Sequence, residues 1–415
     1  MAALFYQGAI YMLKIIKLLS IFLLSILTTI LLYSFTIYLM TPVYTFPKAE
    51  KFNGDMWYNP YEDYDNAEYR RANFHAHSII VGGLTNGRSN TDIDVFQAYN
   101  ELGYEFATIS NYQSPTRQSY YDFPYIPTQE YGINIFKTHF LLIGNNEPAY
   151  LDQILMQDIH TKQFRIYRYK PTTKVLVLNH PAFLNGFNIE DMVRLTGYDL
   201  MEVFNDFAIS LSHWDKALSS GKPSFLIAGD DSHNVFNNRD IGGKINMVPL
   251  TRNDIRNDID KLYDTLKYGS IYAIVLNSPA KSLDRKLKKE LLDSYPVLKS
   301  IQVKDNALMI RLSDNVDTIK FITDNGMEAL TLNNTDNGTY IIKDQDSYVR
   351  IEVVLQDDTK LYFNPIIRSI DGSKPVMPIA EKDYILTALK RIILISILLI
   401  ISIFIYRKIL KRKRC

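Results

Sequence analysis

Residues 224–233 read SFLIAGDDSH, a short apolar run that stops at two carboxylates and an imidazole. Such a run, too short for a helix, reads as a buried strand, and the polar residues after it then sit at the strand's carboxyl end. The same design recurs along the chain in NFHAH (73–77), EFATIS (105–110), THFLLIG (138–144), KVLVLNH (174–180), DLMEVF (199–204) and SIYAIVL (270–276). Helix-like segments lie between these runs at 92–102, 151–163, 189–195, 214–219 and 253–267. Near-continuous apolar strands alternating with helices predict a parallel sheet covered on both faces, and repeated βα units can close into a barrel. The fold class expected for residues 70–285 is therefore α/β, a distorted seven-stranded TIM-like barrel with its chemistry at the carboxyl ends of the strands.

Five of the seven histidines fall at these strand ends, in the order His75-Ala-His77, Glu130 then His139, Asn179-His180-Pro181, and Asp231-Ser-His233. Imidazole and carboxylate bind zinc, manganese or iron and leave room for a reactive water. Each motif alone is weak: a His-x-His pair on a strand only places two polar residues on one face, and Asn-His-Pro also suits a turn. Together and in order they predict a multinuclear centre with His75, His77, Glu130, His139, His180, Asp231 and His233 as ligands. His139 precedes its apolar run, so it reaches the centre only from a hairpin beginning near Glu130. Glu202 and Asn205 end the fifth run and face the same mouth, where they would hydrogen-bond to ligands or touch substrate. Arg88, beside the glycine-rich stretch 82–87, is a candidate phosphate contact. Gly82-Gly83 is not a Walker loop, because no Gly-Lys-Ser/Thr follows. His160 and His213 lie outside the motifs and read as surface or helix-packing residues.

The chain has 415 residues, 47% of them hydrophobic and 22% charged, with 46 basic against 45 acidic side chains. That is a folded protein with no overall electrostatic footprint for nucleic acid, and no basic aromatic stripe is present to hold a strand. Leu18–Met40 is an uncharged apolar run of 23 residues, enough to cross about 30 Å of hydrocarbon as a helix. It reads as an uncleaved signal anchor rather than a cleaved signal peptide, whose apolar region would be shorter. A second span is expected over 384–406. Lys14 and Lys17 precede the first span and six basic residues follow the second, which places both termini in the cytoplasm and the middle of the chain outside it. Lys390 and Arg391 oppose this assignment without reversing it. The lone cysteine, Cys415, excludes an internal disulfide, so the core or a metal must hold the exported part.

Residues 41–69 lack helical or strand periodicity and read as an extended tether. Over 300–368 the pattern becomes period two, with Asp-Asn and Asp-Asp turns, and predicts a small all-β sandwich spanning 286–370. The full expected order is cytoplasmic 1–17, span 18–40, tether 41–69, barrel 70–285, sandwich 286–370, span 384–406 and basic cytoplasmic tail 407–415.

These motifs, in this order, resemble the PHP (polymerase and histidinol phosphatase) family of metal-dependent phosphoesterases. His75-Ala-His77 is similar to that family's first motif, Glu130 with His139-Phe-Leu-Leu to its glutamate and following histidine, Asn179-His180-Pro181 to its His-Pro motif, and Gly229-Asp-Asp-Ser-His233 to its closing Gly-x-Asp-x-His. The resemblance implies a distorted seven-stranded barrel, up to three metal ions and hydrolysis of a phosphate ester. One departure is plain: where the second motif has Thr-Asp-His, this chain has Ser110-Asn111-Tyr112, and an amide and a phenol are weaker ligands than imidazole. Two divalent ions are accordingly expected, with Asn111 and Tyr112 left as possible neighbours of ligands or substrate. A metal-bound hydroxide, rather than a side chain, is the expected nucleophile. Two alternatives stay open: a binding module that keeps metal for structure without turnover, and a scaffolding ectodomain.

Overall fold

The computed structural model describes residues 2–79 and 90–414, so Arg88 and the stretch 82–87 lie outside the described residues. The chain divides into two compact units, one of Met1–Thr45, Asp152–Phe164 and Glu381–Cys415, the other of Phe46–Leu151 and Arg165–Ala380.

The first unit holds the helices Ala2–Met40 and Tyr384–Arg414. Within them Tyr11–Met40 and Tyr384–Lys408 are long and apolar enough to cross a membrane. Val43–Thr45 pairs antiparallel with Glu381–Asp383 where the two helices end. The C-terminal carbonyls of a helix have no partner of their own. Here Arg391 donates to the carbonyls of Leu39 and Met40, and Lys390 donates to that of Thr41 while lying 3.9 Å from the centre of the Tyr38 ring. The two cations that opposed the charge rule thus cap the first helix. Gln153 and Asp158 bond the same helix, through the Ser34 carbonyl and the Tyr38 hydroxyl.

In the second unit the strands form two sheets, and among the described residues no barrel closes. A five-stranded sheet runs Thr128–Tyr131, Phe140–Ile143, Val175–Leu178, Leu200–Asn205, Phe225–Gly229. Its first two pairings are antiparallel and the rest parallel. An eleven-stranded sheet has the main order Leu298–Lys304, Ala307–Thr323, Tyr348–Val354, Lys360–Phe363, Tyr272–Val275, Lys244–Val248, Arg70–Asn73, Phe106–Ala107. This corrects the expected TIM-like barrel, and side-chain amides supply part of the reason. Along Phe225–Gly229, the N–H and carbonyl of Ala228 are both taken by the Asn246 side chain, at 2.8 and 2.7 Å, and the N–H of Leu226 by that of Asn364 at 2.7 Å. A strand whose free edge is satisfied by side chains needs no ladder there. The sheets touch through isolated bridges, Ala76 with Ser232 and Tyr112 with Glu130.

The expected sandwich is corrected as well. The period-two strands after residue 297 are not a separate domain, because Lys360–Phe363 pairs with Tyr272–Val275 and carries the same sheet through to Arg70–Asn73. Lys244–Val248, outside the expected strands, makes that continuity by pairing antiparallel on both sides. The stretch 46–69 is fixed to this unit too. Met56–Tyr58 pairs with Ile366–Ser369, and buried Tyr61 donates its hydroxyl to the Ile271 carbonyl and accepts the Asn364 N–H.

Candidate metal centre

The bridges between the sheets lie among the ligand candidates. Beyond Asn73 the chain stays extended: the Asp231 N–H donates to the His75 carbonyl at 2.9 Å and the His77 N–H to the Ser232 carbonyl at 2.8 Å. This interlock sets His75 and His77 beside Asp231. On the other flank the Gln113 N–H donates to the Glu130 carbonyl at 2.8 Å, placing Glu130 next to Tyr112. The antiparallel pairing of Thr128–Tyr131 with Phe140–Ile143 brings His139 back to Glu130. His180 and Asp231 hold positive φ, 30° and 50°. Non-glycine residues in such conformations cost about 1–3 kcal/mol and cluster at functional sites.

Two ligand groups result, and they share one residue. His75, His77, Glu130 and Asp231 have ligand atoms mutually within 4.8 Å, as do Glu130, His139 and His180; all are buried and could hold metal ions. Glu130 faces both groups with different oxygens. Its Oε2 lies 3.3 Å from His77 Nε2 and 3.6 Å from His75 Nε2, while Oε1 lies 2.7 Å from His139 Nδ1 and 3.3 Å from His180 Nε2. Asp231 Oδ1 is 3.1 Å from His77 Nε2 and 3.3 Å from His75 Nε2. Among the described residues, His75 Nε2 and Glu130 Oε2 are buried without a hydrogen-bond partner, as are His77 Nδ1, His180 Nδ1 and His233 Nε2. His75 Nε2 and Glu130 Oε2, 3.6 Å apart, are the two of these shown to face one another, and a pair of unsatisfied buried ligand atoms fits a cation better than each other.

A supporting layer holds these groups. Glu202 Oε1 accepts from His75 Nδ1 at 2.8 Å, which directs Nε2 at the cluster, and Oε2 accepts the His180 N–H at 3.0 Å. A carboxylate behind a histidine is the usual means of fixing a metal ligand's tautomer. Asn205 Nδ2 donates to both Glu202 and Asp231. Gly229 permits this approach, since a Cβ there would lie 2.0 Å from Glu202 Oε1 and 2.8 Å from His75 Cβ. Burial opposes charge on the His75 imidazole, yet Asp231, Glu202 and Glu130 outweigh it and hold the pKa well above the ordinary value. Burial likewise works against Glu130 and Asp231 as anions, but the neighbouring imidazoles pull both pKa values down.

The remaining candidates separate clearly. His233 lies at the edge, its ring 4.7 Å from that of His77 and its Nδ1 3.7 Å from Asp231 Oδ1. Asn111 spends its amide on Ser78, accepting from the N–H at 3.0 Å and donating to the hydroxyl at 2.7 Å, so it braces the chain next to His77. Tyr112 stacks on His77 with ring centres 5.0 Å apart and 18° between planes. His213 packs its helix through the Phe187 carbonyl, and His160 accepts the Tyr44 N–H at 3.1 Å. Sequence reading passed over Asn90, which donates to the His77 carbonyl at 2.5 Å, and Asp240, which accepts the N–H groups of His233 and Asn234. Asn90 lies in a loop and Asp240 ends the short helical turn Asn238–Asp240; neither belongs to a motif, and nothing in the sequence marks them.

No family model, no curated protein and no solved structure matches this chain.

Proposed function

We propose that the chain is a membrane-anchored, metal-dependent phosphoesterase acting outside the cytoplasm. The observation that carries this reading is the placement of Glu130, whose two oxygens face two separate histidine groups as a bridging carboxylate would. In this reading His75, His77, Glu130 and Asp231 hold one divalent ion, and Glu130, His139 and His180 a second, with His233 at the margin of the first. Zinc, manganese or iron suits such donors. A pair of ions supplies Lewis acidity toward phosphoryl oxygens and lowers the pKa of bound water. The protein's own part is positional: Glu202 fixes His75 and the His180 backbone, Asn205 orients Glu202 and Asp231, and no side-chain nucleophile is required. The ordered motifs that resemble the PHP family support the same reaction class.

The orientation rests on the capping of the first helix by Lys390 and Arg391. With those charges engaged by carbonyls, the basic tail remains to set the cytoplasmic side. The contrary reading, metal kept for binding or structure without turnover, draws on Tyr112, whose ring stacks on His77 where the resemblance would place an imidazole.

The test is elemental analysis of the full chain in detergent, with hydrolysis of phosphomonoesters and diesters in added manganese or zinc. Two metals per chain with metal-dependent hydrolysis are expected, both reduced in His180→Ala. Fewer than one metal and no hydrolysis sink the proposal, and metal without turnover selects the binding reading. A reporter fused after Cys415 is expected in the cytoplasm.

A further inference from the structure

His233 is the least buried of the seven ligand candidates, with 17% of its side chain exposed, so among the described residues it marks the approach to the centre. What borders it is apolar. The Phe207 ring lies 5.5 Å from His233 and 5.3 Å from Phe183, and Phe183 lies 5.4 Å from His180. Phe207 is 50% exposed, and its neighbours along the chain, Ile209 beside Phe207 and Leu184 beside Phe183, are 56% and 69% exposed. Large apolar side chains left in water next to a cluster of ligands mark a binding surface.

Leu184 adds an independent sign. It stands at φ 47° and Asn185 at φ 57°, in a short turn closed by hydrogen bonds from the Phe183 N–H to the His180 carbonyl and from the Gly186 N–H to the Phe183 carbonyl. Asparagine tolerates the left-handed region, whereas leucine gains nothing local from it. A strained leucine displayed to solvent beside a ligand is held for what it presents.

Resting on the phosphoesterase reading, we propose that the substrate is a lipid phosphate, its phosphoryl group taken by the metal centre and its apolar tail by the collar of Phe183, Leu184, Phe207 and Ile209. A sugar would leave these side chains without complementary contacts, and a nucleobase would use the rings but not the two aliphatic residues. The two helices long and apolar enough to cross a membrane would put the protein and such a lipid in the same bilayer.

The experiment uses the full chain in non-ionic detergent with manganese. It compares kcat/KM for glycerol 3-phosphate, adenosine monophosphate and dihexanoylglycerol phosphate, and the equilibrium binding of methyl- and hexylphosphonate. The dihexanoyl ester is expected to exceed glycerol 3-phosphate by at least about 10-fold, and hexylphosphonate to outbind methylphosphonate comparably. The double variant Phe183→Ser/Phe207→Ser is expected to bring both ratios toward one while retaining its metal, which shows that it folds. Equal ratios for the wild type, or a preference for the nucleotide, overturn the lipid proposal. Chain-length preference in binding without hydrolysis of any ester keeps the collar and overturns the phosphoesterase reading; neither binding nor hydrolysis overturns both.

Discussion

Asp215 and Asp231 are both buried aspartates of the same unit, yet their surroundings answer the charge in opposite ways. Asp215 is met by its own cation: Arg350 reaches Oδ1 with Nε at 2.8 Å and Oδ2 with Nη2 at 2.9 Å, and the Tyr348 hydroxyl lies 3.2 Å away. The guanidinium also covers the Trp214 ring at 5.1 Å. Among the described residues, no lysine or arginine pairs with Asp231; its ion-pair partners are histidines. Glu130 and Glu202 add further carboxylates, and among the described residues the groups that face the three are imidazoles, which carry charge conditionally, and neutral amides. A buried anion without a fixed partner is costly unless something mobile and positive is meant to arrive. The difference separates a cluster closed by its own ion pair from one whose donors could hold a metal ion.

Breaking the finished cluster has the largest expected effect. Arg350→Ala leaves Asp215 buried and unpaired, and should lower unfolding stability by about 3–5 kcal/mol in a urea titration of the full chain in detergent. Metal content per folded molecule should not change. If Arg350→Ala instead lost its metal, the two clusters would not be independent and the contrast would fail. Next in size is metal removal from the wild type. A ligand present at about 100 times its Kd stabilises by about 2.7 kcal/mol, so a chelator should lower the melting temperature by a corresponding amount. That drop should persist unchanged in Arg350→Ala and vanish in Glu130→Gln.

The contrast was partly legible beforehand. Five of the ligand candidates end or follow apolar runs, and a polar residue at the end of a buried strand has few places to point, so His75, His77, His180, Asp231 and His233 stand out as candidates in the sequence alone. His139 required a reversal of chain direction, which the antiparallel pairing at Thr128–Tyr131 supplies. Sheet order was not legible, because period and apolarity specify that a segment is a strand but not which edge it joins. The Asn246 and Asn364 side chains, which satisfy the edge of Phe225–Gly229, belong to no recognisable pattern, and the separate sandwich was lost in the pairing of Lys360–Phe363 with Tyr272–Val275, which no period specifies. Asp230 shows the same limit. It adjoins Asp231 in sequence, but its oxygens accept the N–H groups of Gly242, Gly243 and Lys244 and the Tyr99 hydroxyl, so it anchors a turn instead of facing the histidines.

Glu202 sharpens the comparison because it touches the candidate metal ligands without belonging to either group of them. Glu202→Gln keeps shape and volume but cannot hold His75 with its remaining lone pairs and charge in the same way, and should weaken metal affinity about 10–100-fold by competition with a chromophoric chelator. Stability of the metal-free chain should change little. A metal affinity equal to the wild type would show that the Glu202 contact with His75 only fills space.

Lys222 supplies the smallest effect and a third kind of buried charge, one that neither completes a pair nor faces a ligand. Among the described residues its Nζ is buried without a hydrogen-bond partner, and burial pushes its pKa down to about 8 from the ordinary 10.5. Below pH 8 the ammonium is charged in both folded and unfolded chains, and the folded state bears the full cost of burying it. Between pH 8 and 10.5 the folded chain releases the proton while the unfolded chain keeps it, so stability rises with pH across that window. Lys222→Met removes the charge and keeps most of the apolar stem. It should therefore stabilise the protein by about 1–2 kcal/mol at pH 7. The gain should shrink toward zero by pH 10.5, and the melting temperature of the variant should be flatter across the window than that of the wild type. A destabilised Lys222→Met with unchanged pH dependence would mean that Lys222 finds a partner in solution, and would place it with Arg350 rather than apart from it.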